Sequence, residues 1–195
     1  MKPLLILSLA LLLIAPAAFL QERQHPSAPP QEQSNASPAF ESAAGPEMER
    51  LAKALAGDWS TTETMQRSKF FPNGGSRHGK AHVKLAAGGT TLIYEVHSDG
   101  SAGKLDGMLV IWWDKAANLY EFFACFNDPA HPCKSRGTAH WEGATFVNDY
   151  DLTLDGRKTQ ARDSFSFTPS SHTLVAAMDQ GDGTMRVLIT TVATR

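Results

Sequence analysis

The residues able to do chemistry in this sequence are few, and the most concentrated group is "CFNDPAHPC", Cys125 to Cys133. Two cysteines astride one short connecting segment fit a disulfide in an oxidising compartment. On the chain-entropy view, closing a loop this short contributes about 2.5 kcal/mol. The competing chemistry is a metal site built from Cys125, Asp128, His131 and Cys133. It lacks the Cys-x-x-Cys spacing of structural zinc, and exported thiols oxidise before they collect metal. The pair is therefore assigned to a disulfide, and no metal is expected. A second group is Asp163 with Tyr94 or Tyr150, an acid and two phenols that would form an acid–base set if folding brought them together. Beyond it there is no Gly-x-Ser-x-Gly, no paired-carboxylate spacing and no nucleophile–base constellation. Accordingly no catalytic residue and no cofactor is assigned. His140, ahead of Trp141, and His172 read as surface or hydrogen-bonded histidines rather than ligands.

These residues need elements to hold them. The first, "MKPLLILSLALLLIAPAAF", has Lys2, an apolar run from Leu4 to Ile14 and a small-residue stretch at Ala15-Pro16-Ala17-Ala18. That is the pattern of a secretory signal peptide, with an apolar run too short to span a bilayer. It covers residues 1–20 and predicts an exported protein, periplasmic or extracellular, with no stable membrane insertion once the leader is cleaved. Residues 21–45 are rich in Pro, Gln, Ser and Ala. Such a segment cannot bury enough apolar surface to offset its ordering entropy, so it reads as a disordered linker. Asn35-Ala36-Ser37 within it fits the glycosylation sequon.

Residues 46–195 are then one domain. The chain has 18 Lys and Arg against 20 Asp and Glu, and the basic residues are scattered, which removes the electrostatic footprint of nucleic-acid binding. "PEMERLAKALAG" places Pro46 at a helix start, Glu47 and Glu49 in the first turn and Gly57 past the end. Met48, Leu51, Ala52 and Leu55 fall on one face at helical spacing. A helix of about ten residues does not persist alone and must lie on something.

The chain beyond Gly57 is β-rich and broken by "PNGG", "AAGG", "SDGSAG", "DKAAN", "NDPAHP", "LDGR", "TPSS" and "QGDG". Between these turns lie about ten candidate strands. Their approximate spans are 58–68, 77–85, 90–98, 105–113, 119–126, 135–142, 145–154, 158–167, 172–179 and 184–193. Short connections imply antiparallel neighbours, and closure into an up-and-down barrel removes the two edges an open sheet would expose. The fold class is an all-β, roughly ten-stranded antiparallel closed barrel with a short N-terminal helix capping one end. In such a barrel the first strand pairs with the last. Trp59 then plugs the capped end, and Arg195 from "TTVATR" stacks on it.

The motifs "AGDW" after a helix and the terminal "TVATR" resemble the calycin-type barrels, lipocalins and fatty-acid-binding proteins among them. In those barrels a Gly-x-Trp on the first strand commonly meets a basic residue from the last. More narrowly, "LAGDW", "GMLVIWWDKAANLYEF" and "TTVATR" resemble a family of bacterial exported calycin-like domains without assigned function. The resemblance covers Leu51 to Arg195, and its motifs mark a fold rather than a reaction.

Side-chain parity assigns the interior. A four-residue "KAAN" loop sets Trp113 opposite Tyr120, Ile111 opposite Phe122 and Leu109 opposite Ala124, an apolar face that is placed inward. The same logic turns Leu92, Tyr94, Val96, Ala81, Val83 and Leu85 inward, with Phe146, Tyr150, Leu152, Ala161, Asp163, Phe165 and Phe167. The outer face of the hairpin carries Trp112 and Phe123, which the helix or a second copy of the chain, as a homodimer, would cover. The expected ligand-binding set is Tyr94, Ile111, Trp113, Tyr120, Phe122, Tyr150, Asp163 and Phe165, around a small apolar or amphipathic molecule. The alternatives are an enzyme using Asp163 as an interior acid, a haem-binding barrel of the nitrobindin type, and a structural barrel with a filled core.

Overall fold

A computed structural model describes residues 44–127, 133, 135–154, 156–179 and 181–195. The signal-peptide, linker and sequon readings, and Asp128 and His131 of the metal alternative, lie outside the described residues. The helix α1 spans Pro46–Leu55, with Pro46 in its first turn beside Glu47 and Glu49, and Lys53 near its end. Each charge complements the end of the helix dipole it lies near. Met48, Leu51 and Leu55 are buried and its other face is solvated.

Ten strands succeed the helix: β1 Gly57–Met65, β2 Gly75–Ala86, β3 Thr91–Gly100, β4 Leu105–Asp114, β5 Leu119–Phe126, β6 Ser135–Glu142, β7 Thr145–Leu154, β8 Arg157–Phe167, β9 Ser171–Asp179 and β10 Met185–Thr194. Each pairs antiparallel with its chain neighbours, and β1 pairs with β10 from Ser60↔Thr194 to Met65↔Ile189, closing the barrel. This is the calycin-like architecture that the resemblance implies. The strand spans agree with those read from the turn signals to within a few residues at each end. No described helix is long and apolar enough to cross a membrane.

Parity works as a barrel requires. On β1, Trp59, Thr61, Glu63 and Met65 are buried while the residues between them are exposed. The β4–β5 hairpin pairs Trp113 with Tyr120, Ile111 with Phe122 and Leu109 with Ala124. The two ends of the barrel differ. At one end α1 inserts Met48, Leu51 and Leu55 into a cluster with Trp59, Leu92, Ile111, Tyr120, Phe146 and Ala193. At the other, Phe70 from the β1–β2 connection packs on a smaller cluster of Leu152, Ala161, Met178 and Leu188. Leu188 reaches inward where the β9–β10 register slips between Val187 and Ile189, as a bulge allows.

The closed end answers to Trp59, which is buried and donates its ring N–H to the Leu55 carbonyl at 2.8 Å. One of the carbonyls left over at the end of α1 is thus satisfied by the side chain that plugs the barrel. The Arg195 guanidinium lies 4.5 Å from the centre of the Trp59 ring and donates to the Ala56 carbonyl at 2.9 Å. Gly57 makes the turn between helix and strand at φ 136°, a conformation side-chain-bearing residues rarely adopt.

Cys125 and Cys133 are joined in a disulfide at the end of the barrel away from α1. On the outer face, Phe123 lies under the guanidinium of Arg136 at 5.5 Å, while α1 directs its buried side chains into the barrel end.

Candidate functional site

The barrel is not filled. In the half away from α1 there is a cavity of about 160 Å³. Its walls include Tyr94, Leu109, Phe122, Phe126, Tyr150 and Phe165 on the apolar side, with Glu63, Arg77, Ser135, Asp163 and Thr191 among its polar groups. Position along the strands explains the offset. Leu105 begins β4, Phe126 ends β5 and Ser135 begins β6, so these residues ring the end that the helix does not occupy.

Of the residues expected to bind a ligand, the cavity brings together Tyr94, Phe122, Tyr150, Asp163 and Phe165. Ile111, Trp113 and Tyr120 also belong to the inward face, but they sit in the packed half near α1 and are not among the cavity's described walls. Tyr120 instead donates its hydroxyl to the Glu47 carbonyl at 2.7 Å, receives the Trp141 ring N–H at 3.2 Å and meets the Trp113 ring edge-on at 4.7 Å. Tyr120 therefore ties the helix to the barrel, and Ile111 and Trp113 pack in the same cluster.

Sequence reasoning missed the polar centre of the cavity. Glu63 and Arg77 stand directly opposite each other on β1 and β2, both buried. Arg77 Nε and Nη2 each lie 2.8 Å from the same Glu63 oxygen, and Ser98 donates to the other at 3.1 Å. Parity was the available signal: Glu63 shares the face of Trp59, and Arg77 shares the face of Ala81. Residue type argues against such a pair, because burying an ion pair usually costs more in desolvation than it returns.

The second polar pair was visible as residue types. The Tyr150 hydroxyl donates to Asp163 Oδ1 at 3.2 Å. Burial, followed by the nearby Asp163 carboxylate, holds the Tyr150 phenol well above its ordinary value, so it stays a donor. Burial, with a smaller contribution from Glu63, does the same for Tyr94. Space for Tyr150 comes from Gly137 on β6. A Cβ there would stand 2.7 Å from the Tyr150 Cβ and 2.8 Å from the Phe122 ring, and the Tyr150 and Phe122 rings meet edge to face at 5.6 Å.

His172 corrects an expectation. It is neither on the surface nor hydrogen-bonded: its side chain is 1% exposed, and neither ring nitrogen has a partner among the described residues. It stands edge-on to Trp59 at 4.6 Å, with Tyr94 and Phe165 beyond. Burial, then the Arg195 charge, lowers its pKa from 6.5 to about 4 and keeps the ring neutral at pH 7. Position misled the reading, because a residue just inside a strand's start can face either way, and here the β9 register turns it inward opposite Ala193. Asn148 is likewise fully buried, and its side-chain amide has no partner among the described residues. His140, by contrast, is exposed and contacts Glu142 at 3.0 Å.

No family model and no curated protein sequence matches this chain. Among solved structures it is similar to the S-type phycobiliprotein lyase CPES from Guillardia theta, at 14% identity and a TM-score of 0.48, covering 80% of this chain and 96% of that one. The barrel is defined by its own strand order and register.

Proposed function

We propose that this protein is an exported barrel that binds a small apolar or amphipathic molecule in its interior. The observation that carries the reading is the cavity of about 160 Å³, apolar for most of its wall and bordered by two fixed polar pairs. An apolar hollow with a few convergent polar groups is the usual form of a small-molecule site. Size narrows the class: an engineered cavity of about 150 Å³ in another protein accepts benzene, so a single ring or a short chain fits here. A haem macrocycle exceeds that volume several-fold, and His172, the one buried histidine among the described residues, is packed between Trp59 and Phe165. What supports export is the disulfide, which suits an oxidising compartment, together with the apolar leader read from the sequence.

Calorimetric titration with benzyl alcohol tests the reading, alongside native mass spectrometry of protein purified from its own host. The wild type is expected to bind the probe. Ala124→Phe, which fills the hollow from its wall, is expected to abolish binding while the barrel stays folded. Absence of binding to the wild type, or equal binding by the variant, would defeat the proposal.

A second reading draws on the Tyr150–Asp163 pair: a carboxylate facing a cavity is placed to act as a general base beside a protonated phenol. It requires turnover of some component of a host metabolite extract by the wild type but not by Asp163→Asn. Mass spectrometry of the extract before and after incubation reads that difference.

A further inference from the structure

The polar groups along the cavity differ in whether the protein already uses them. Its charged side chains among the described walls are engaged. Glu63 holds Arg77 at 2.8 Å and accepts from Ser98 at 3.1 Å, and Asp163 accepts from the Tyr150 hydroxyl at 3.2 Å. The hydroxyls of Tyr94, Ser135 and Thr191 have no hydrogen-bond partner among the described residues, although each side chain lines the cavity and each residue is at most 9% exposed. A sealed, unpartnered hydroxyl does occur in this barrel, on Thr61, but these three are not sealed and border the hollow. Two of them share a neighbour. Thr191 stands directly opposite Glu63 in the β1–β10 register. Burial, and then the Glu63 charge, keeps the Tyr94 phenol protonated and so able to donate. Ser135 lies apart, three strands from Tyr94 along the row that runs through Leu109 and Ala124.

Buried polar groups are nearly always paired, and an apolar molecule filling this space would leave these hydroxyls without partners. What enters must therefore bring a partner of its own. A hydroxyl can both donate and accept, so an uncharged oxygen meets the demand: a carbonyl accepts from it, and an alcohol can do either. A carboxylate would also accept, but it would set a second negative charge beside Glu63 in surroundings that screen poorly. Arg77, the one cationic side chain among the described walls, is already held by Glu63. We infer that the cavity takes a small alcohol or carbonyl compound, an apolar body with one uncharged oxygen, and that the Tyr94 and Thr191 hydroxyls hold that oxygen. This rests on the reading of the barrel as a small-molecule binder.

Three probes of similar shape, toluene, benzyl alcohol and benzoate, are titrated calorimetrically at pH 7 into the wild type and into Tyr94→Phe combined with Thr191→Val. Those substitutions remove the hydroxyls and nearly keep the shape of the wall. The double variant is expected to bind benzyl alcohol about tenfold more weakly than the wild type, while its toluene affinity is held or raised. The wild type is expected to bind benzyl alcohol about tenfold or more tightly than benzoate. An alcohol affinity unchanged in the double variant would overturn the inference, as would an equal loss for toluene and alcohol. Benzoate binding the wild type as tightly as benzyl alcohol would overturn it too, and that comparison stands even if the variant fails to fold. If the wild type binds benzyl alcohol and these contrasts are missing, only this inference falls. If it binds none of the three probes, the small-molecule reading falls with it.

Discussion

Replacing Trp59 with Ala should be among the most destabilising single changes in this protein, and its cost can be worked out from the contacts. A Trp side chain buries roughly 200 Å², which at about 25 cal/mol per Å² corresponds to about 5 kcal/mol of transfer free energy, an upper figure because the unfolded chain is partly compact. The ring N–H bond to Leu55 at 2.8 Å is also lost, and that carbonyl is left at a buried helix end. Truncation of large aromatics in cores costs about 3–5 kcal/mol, and Trp59→Ala should fall near the top of that range. Arg195 is exposed, so its contact with the ring is at the weak end of cation–π interactions, about 0.5–1 kcal/mol. Its bond to the Ala56 carbonyl adds about 0.5–1.5 kcal/mol. Arg195→Ala should therefore cost about 1–2.5 kcal/mol in the wild type. With Trp59 already removed it should cost less by the cation–π share, so the coupling energy is about 0.5–1 kcal/mol. Urea unfolding of the wild type, both single variants and the double variant measures it. Additivity within about 0.3 kcal/mol would show that the stacking contributes nothing and that Arg195 acts only through the helix carbonyl.

His172 supplies a pH test. Its folded pKa, about 4, lies below its ordinary value near 6.5, so between those values the unfolded chain binds the extra proton. Its contribution is complete above about pH 6.5 and is lost as pH falls towards 4, amounting to about 3 kcal/mol over the window. His172→Phe should flatten that slope in urea melts at pH 4.5 and 7; an unchanged slope would assign it to other groups. In Arg195→Ala the pKa of His172 should rise, as followed by NMR titration, because the Arg195 charge is one cause of its depression. Glu63→Gln leaves the buried Arg77 charge uncompensated and should cost about 3–5 kcal/mol, whereas Glu63→Gln combined with Arg77→Met should cost less than the single change. A double variant weaker than the single would mean the pair is not the unit that matters. Thiol titration of unfolded, unreduced protein should find no free cysteine, and replacing both with Ser should cost about 2.5 kcal/mol; two reactive thiols would refute the bond.

Barrel closure, strand order, the hairpin register and the disulfide were legible in the sequence because each is encoded locally. Turn residues such as Pro72-Asn73-Gly74-Gly75 punctuate the strands, and a period of two assigns Leu109, Ile111 and Trp113 to one face whatever the rest of the chain does. The position of Arg195 over Trp59 came from topology alone, since closure brings the first and last strands together. Tertiary structure decided how the interior is divided. Parity places Trp113, Tyr120, Phe122 and Tyr150 on the same wall but carries no information about depth. Only the way α1 fills one end leaves the first two packed and the last two beside the hollow. The same limit hid the Glu63–Arg77 pair and the burial of His172. A residue type predicts its average environment, whereas a buried charge or an unpartnered imidazole survives only because specific neighbours, distant in sequence, are held around it by the closed barrel.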